Sequence, residues 1–160
     1  MVIYPFGKAH GDFDHVEGIS VAHGFCCHTE GYLTNAGPSD PNHIDTGVGA
    51  HAEGYDTCAS GIGAHAEGYS CVATGDGTHA EGYDTKASGF GAHAEGRETL
   101  ARTWAHAEGF GAQALGWASH AEGHGSIANE NYSHASGVGT WTNFEDSFVT
   151  GKFNVKKDKY

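Results

Sequence analysis

A histidine followed two residues later by a glutamate places an imidazole and a carboxylate on the same face of a β-strand. Such a pair can relay a proton or hold a metal ion. Here it is written many times over, as His51-Ala52-Glu53-Gly54 and again from His65, His79 and His93, at steps of 14 residues. One active site needs the pair once, so a repeated pair points to a row of side chains. His-Ala-Glu also matches the H-x-E half of the zinc deaminase signature. The P-C-x-x-C half is missing, and copies on successive repeats do not serve one catalytic zinc. There is no G-x-S-x-G nucleophile turn either. The chain is expected to have no catalytic residues.

The row consists of His15, His28, His51, His65, His79, His93, His106, His120 and His134, with spacings of 13, 23, 14, 14, 14, 13, 14 and 14. Each 13 drops one turn residue, and the 23 contains a nine-residue insertion at 38–46 that includes Pro38 and Pro41. Glu17, Glu30, Glu53, Glu67, Glu81, Glu95, Glu108 and Glu122 form a second row, ending at Ser136. A third row is aromatic: Tyr32, Tyr55, Tyr69, Tyr83 and Phe110, with Arg97, His124 and Val138 where it lapses.

The elements that position these rows follow from the alternation. Ala50-His51-Ala52-Glu53-Gly54 and Thr57-Cys58-Ala59-Ser60-Gly61 read as two period-two strands, each with one face of very small residues. Turn residues separate them. Two strands closing on their small faces make a flattened parallel β-roll, about 14 residues per turn. That is an all-β, single-chain solenoid with Ala52, Ala66, Ala80 and Ala94 pointing inward and His, Glu and Lys86 outward. The glycine density excludes a helix.

Composition bears on the partners. Val, Ile, Leu and Phe make up only 15 % of the 160 residues, and the net charge is −12. Without the period that balance would mean disorder. With it, the balance means a small-residue interior and larger side chains left to be buried elsewhere. A lone roll buries too little apolar surface, at ~25 cal/mol per Å², to offset ordering the chain. The acidity argues against a nucleic-acid partner. No apolar run suits membrane insertion, and Met1 to Gly18 lacks the pattern of a signal peptide. Cys26, Cys27, Cys58 and Cys71 form no C-x-x-C pair and are expected as free thiols.

Ala-His-Ala-Glu-Gly and Thr-Lys-Ala-Ser-Gly resemble the paired strands of the left-handed parallel β-roll in trimeric autotransporter adhesin heads of the YadA type, over residues 7 to 154. The His-Ala-Glu-Gly form is more similar to rolls of phage and prophage tail-fibre and tail-spike proteins, which often precede an autoproteolytic intramolecular chaperone. The resemblance implies a homotrimer with its His/Glu sheets turned toward the axis. It implies a structural or attachment role in a virion tail or at a cell surface, with a host receptor, glycan or protein, as partner. The alternative it implies is a scaffold ahead of such a chaperone. The insertion, the aromatic row and the ends are the places for receptor contact. No cofactor is expected. On a threefold axis each rung would offer three imidazoles to a metal ion; a His–Glu hydrogen-bond network between subunits is the competing expectation. Residues 1–6 are expected to cap one end, 7–143 to form the roll, and 144–160 to cap the other end or act as a connector.

Overall fold

The computed structural model describes residues 7–38 and 48–154, so the start at 1–6, all of the insertion except Pro38, and 155–160 lie outside the described residues. The chain is an all-β parallel solenoid of about 10 turns. The described residues form seventeen strands. β1 is Lys8–Ala9, β2 His15–Ala22 and β3 His28–Ala36. β4 (His51–Tyr55), β6 (His65–Tyr69), β8 (His79–Tyr83), β10 (His93–Arg97), β12 (His106–Phe110), β14 (His120–His124) and β16 (His134–Val138) carry the ladder. Between them lie β5 (Cys58–Ala59), β7 (Val72–Ala73), β9 (Lys86–Ala87), β11 (Leu100–Ala101), β13 (Gln113–Ala114) and β15 (Ile127–Ala128), and β17 (Phe148–Lys152) follows. Among the described residues there is no helix, hence none long and apolar enough to cross a membrane.

Register is strict. His79 pairs with His93, Glu81 with Glu95 and Gly82 with Gly96, all parallel, and the same holds rung after rung. Both short rungs lose a turn residue, at opposite edges of the roll. In the first, Ile19 pairs with Tyr32 but Ser20 with Thr34, so Leu33 has no counterpart. In the second, Leu100 pairs with Lys86 and His106 with His93, which shortens the turn after β11. After the insertion the ladder resumes without a slip, His28 on His51 and Ala36 on Ala59.

The interior is as small as the alternation requires. Ala52, Ala66, Ala80 and Ala94 are fully buried, facing Ala59, Ala73, Ala87 and Ala101 of the short strands. Thr57, Thr85 and Thr99 are buried beside them, and threonines head the largest fully buried side chains. Among the described residues every phenylalanine, tyrosine and tryptophan except the half-buried Trp141 is exposed, from 39 % at Phe110 to 80 % at Phe13. Rungs are held by parallel backbone hydrogen bonds, such as His79 N–H to Ala92 O at 3.0 Å and Lys86 N–H to Thr99 O at 2.9 Å.

The repeat runs further than its histidines. β17 pairs with β16 as one more rung, Phe148 on His134, Thr150 on Ser136 and Gly151 on Gly137. The segment expected to leave the roll therefore first extends it.

Candidate functional site

The β4-to-β16 strands bring the expected histidines together in one column. From His28 to His134 successive rings stack at centroid distances of 4.5–4.8 Å. His65 and His79 are within 4° of parallel. This follows from strand geometry: identical residues in register on parallel strands lie one rung spacing apart, ~4.8 Å. The glutamates form the adjacent column. At the exposed end His15 Nε2 makes a 2.9 Å hydrogen bond with Glu17 Oε1. From His51 to His134 the nearest carboxylate oxygen is 3.4–4.0 Å away. These Nε2 atoms are buried and have no hydrogen-bond partner. Within one chain, then, the ladder is a ring stack beside a carboxylate column, and the histidines do not satisfy the glutamates by hydrogen bonding.

The pairing changes direction partway along. His51, His65, His79 and His93 each lie nearest the glutamate of their own rung. His106, His120 and His134 lie nearest the glutamate one rung back: Glu95, Glu108 and Glu122. The switch falls at the second short rung and leaves Glu95 between two imidazoles, 4.0 Å from His93 and 3.7 Å from His106. Beside it the carboxylates crowd. Glu108 is pushed up to about 7 by the adjoining Glu95, by burial and by Glu122. Glu95 is lowered chiefly by its hydrogen bond with Glu108, and Glu122 chiefly by its hydrogen bond with Ser136. A shallow groove of about 610 Å³ runs along this stretch, lined by Glu81, Glu95, Glu108, Glu122, Ser136 and the glycines beside them.

His51, His93 and His120 do not respond to the glutamates as composition suggests. With a carboxylate on nearly every rung, raised imidazole pKa values are the natural expectation. At His51 burial comes first and lowers the value, the stacked neighbours His65 and His28 lower it further, and Glu53 and Glu30 oppose without prevailing. His93 and His120 are lowered in the same order, by burial and then by flanking histidines. Burial comes first at these three rings, and flanking histidines add to it, while the nearby carboxylates make no hydrogen bond that would offset it.

The sign of the pH dependence follows. A histidine whose folded pKa lies below its unfolded value near ~6.5 contributes stability above that value and loses it as pH falls. Glu95 and Glu122, lowered, act in the same direction at lower pH. Glu108, raised, acts in the opposite direction: its contribution is present at acid pH and disappears as pH rises through about 7. The melting temperature, measured with chelator, is expected to climb from about pH 5 to about pH 7.5. Glu108→Gln should steepen the climb. A maximum at mildly acidic pH followed by a fall toward neutrality would show that the carboxylates control the histidines after all.

The aromatic row forms a second column. Tyr55, Tyr69 and Tyr83 stack at 4.9 Å and within 4° of parallel. Arg97 does not interrupt it: the guanidinium lies 5.2 Å from the Tyr83 ring and 5.3 Å from Phe110, a cation–π sandwich. His124 continues it against Phe110 at 4.9 Å. Because the faces cover one another, this row offers a ligand ring edges and hydroxyls rather than flat faces.

Faces are offered elsewhere, at residues that sequence reading passed over. Phe90, Trp104, Trp117 and Tyr132 stand on four successive turn tips, each about half exposed. Phe90 and Trp104 are tilted by 53° and Trp117 and Tyr132 by 76°, so they do not seal each other. The signal was an aromatic residue two or three positions ahead of His93, His106, His120 and His134.

None of the four cysteines is in a disulfide; Cys26 is exposed and Cys27 and Cys71 are buried. Burial raises the Cys27 and Cys58 thiols, which makes them poor metal ligands at neutral pH. The donors that cluster are the ladder's own: His65, Glu67 and His79; Glu95, His106 and Glu108; His120, Glu122 and His134.

The fold and its ladder define the class, a single-chain parallel β-solenoid of the β-roll kind with in-register polar and aromatic columns. No protein-family model, curated protein or solved structure matches the chain.

Proposed function

We propose that the chain is a rigid structural and attachment module that works as a homotrimer, with left-handed rolls around one axis and the His/Glu sheets turned inward. The observation that carries this is the inside-out distribution of side chains. The interior is closed by alanine, serine, threonine and cysteine, and every large apolar side chain named above is on the outside. Alanine burial supplies little stability per rung, so outward columns that continue over the whole roll are where a second and third copy would add burial. About 10 rungs at ~4.8 Å each give a rod roughly 45 Å long, a spacer stiffened by hydrogen bonds along its length.

A phage tail fibre or a cell-surface adhesin head is the setting that suits such a rod. Receptor contact falls to the turn aromatics Phe90, Trp104, Trp117 and Tyr132 in preference to the tyrosine column, because only the former present open ring faces. Aromatic side chains of this kind dominate binding surfaces.

Native mass spectrometry tests the assembly. The expected particle has three times the mass of the chain and persists on dilution to micromolar concentration. A folded monomer with a cooperative melt would overturn the homotrimer and the role built on it.

A further inference from the structure

We infer that Glu95, His106 and Glu108 of a single chain form a binding site for a divalent transition-metal ion of the zinc class, in the seam between β10 and β12. One ligand atom from each lies within 4.8 Å of the other two. His106 Nε2 and Glu95 Oε1 are already 3.7 Å apart. Zinc bonds of ~2.0–2.2 Å require ligand atoms roughly 3.3 Å apart, so donors within 4.8 Å of one another must close by up to about 1.5 Å, within the reach of glutamate side-chain torsions. No hydrogen bond at His106 Nε2 has to be broken, because that atom is buried without a partner.

The other two clusters do not converge in the same way. Each takes two imidazoles from the stack. His65 and His79 are 4.8 Å apart and 4° from parallel, so their in-plane lone pairs run side by side and cannot meet at one ion. His120 and His134 are 4.5 Å apart and 24° from parallel, with the same difficulty. The Glu95 site needs one imidazole only. Its carboxylates come from successive rungs, because Glu95 pairs with Glu108 in register. The reversal of His–Glu pairing places His106 against the carboxylate one rung back.

Charge and access agree with the geometry. Two carboxylates and a neutral imidazole balance a divalent ion, which on binding displaces the proton from the Glu95–Glu108 hydrogen bond. The groove lined by Glu81, Glu95, Glu108, Glu122 and the neighbouring Gly96, Gly109 and Gly123 opens the carboxylate side of the site to solvent and leaves room for water ligands. One nitrogen and two oxygen donors suit zinc, copper(II) or nickel; magnesium and calcium prefer oxygen alone. All three donors belong to one chain, so the site does not depend on the homotrimer.

The test uses tag-free full-length protein stripped with chelator. Native mass spectrometry with added zinc counts ions per chain and chains per particle in one spectrum, which separates this site from the assembly. The expected result is one tightly held zinc per chain, unaffected by about a hundredfold excess of magnesium. His106→Gln and Glu108→Gln should each weaken zinc binding at least about tenfold, while His51→Gln leaves it unchanged. Copper(II) bound at the site should show a single coupled nitrogen in its electron paramagnetic resonance spectrum, a readout that needs no variant to fold. Zinc binding untouched by the His106 and Glu108 substitutions, two or more coupled nitrogens, equal competition by magnesium, or no binding at all would each overturn the site.

Discussion

Replacing Ala80 with leucine is expected to lower the stability of the roll by about 3 kcal/mol or more, at the upper end of overpacking costs, while Lys86→Leu changes it by less than about 0.5 kcal/mol. Ala80 is fully buried on β8, between Ala66 and Ala94 of the flanking rungs. Its surroundings are alanine and threonine side chains plus backbone, none of which has a larger rotamer to swing aside. A leucine there has to push β8 away from β9, and the hydrogen bonds to both neighbouring rungs resist because they are fixed at rung spacing. Lys86 points outward from β9 and is exposed, so a leucine meets solvent. Chemical denaturation read by circular dichroism would show the midpoint falling for Ala80→Leu alone. Equal effects, or a larger loss at Lys86, would mean that the two faces of the roll are reversed.

The faces were readable in the sequence because the small residues alternate without exception through the central rungs. Where replacement broke that pattern, legibility failed. Phe148-Val-Thr-Gly-Lys152 lacks histidine, alanine and glutamate, so it reads as the end of the repeat. Only Gly151, 14 residues after Gly137, kept the period, and the backbone follows the glycine rather than the lost side chains.

The ladder was legible as a pattern but not as chemistry. Sequence places His and Glu on one face at every rung. It cannot say that burial, with the flanking rings behind it, outweighs the nearby carboxylates at His51, His93 and His120. Nor does it show that, from His106 onward, each ladder histidine lies nearest the glutamate of the preceding rung, which sets His106 beside both Glu95 and Glu108. The turn aromatics are hidden because their distance to the next ladder histidine alternates between three residues, at Phe90 and Trp117, and two, at Trp104 and Tyr132.

Substituting Gly82 with alanine is expected to be the most damaging single change in the central roll, at about 4 kcal/mol or more, the range reserved for broken architecture. Two costs add. Gly82 has φ of +111°, a conformation that side chains rarely adopt, and forcing a non-glycine residue into such a region costs of order 1–3 kcal/mol. A Cβ at Gly82 would also lie 2.1 Å from the carbonyl oxygen of Gly96 on the next rung. That contact cannot be relieved by a rotamer, because the colliding atom is backbone. The rungs must part, breaking the ladder where nearest-neighbour stacking carries the stability of a solenoid. Gly151 separates the two costs: its φ is +116°, yet an added Cβ meets nothing within 4 Å. Gly151→Ala should therefore show the backbone strain alone, about 1–3 kcal/mol, and Gly82→Ala that strain plus the collision. The comparison is made by equilibrium unfolding of both variants, with hydrogen exchange locating the opening at β8 and β10. If Gly82→Ala were no worse than Gly151→Ala, the rungs would not be in the close register that brings the ladder histidines, the glutamates and the metal-site donors together.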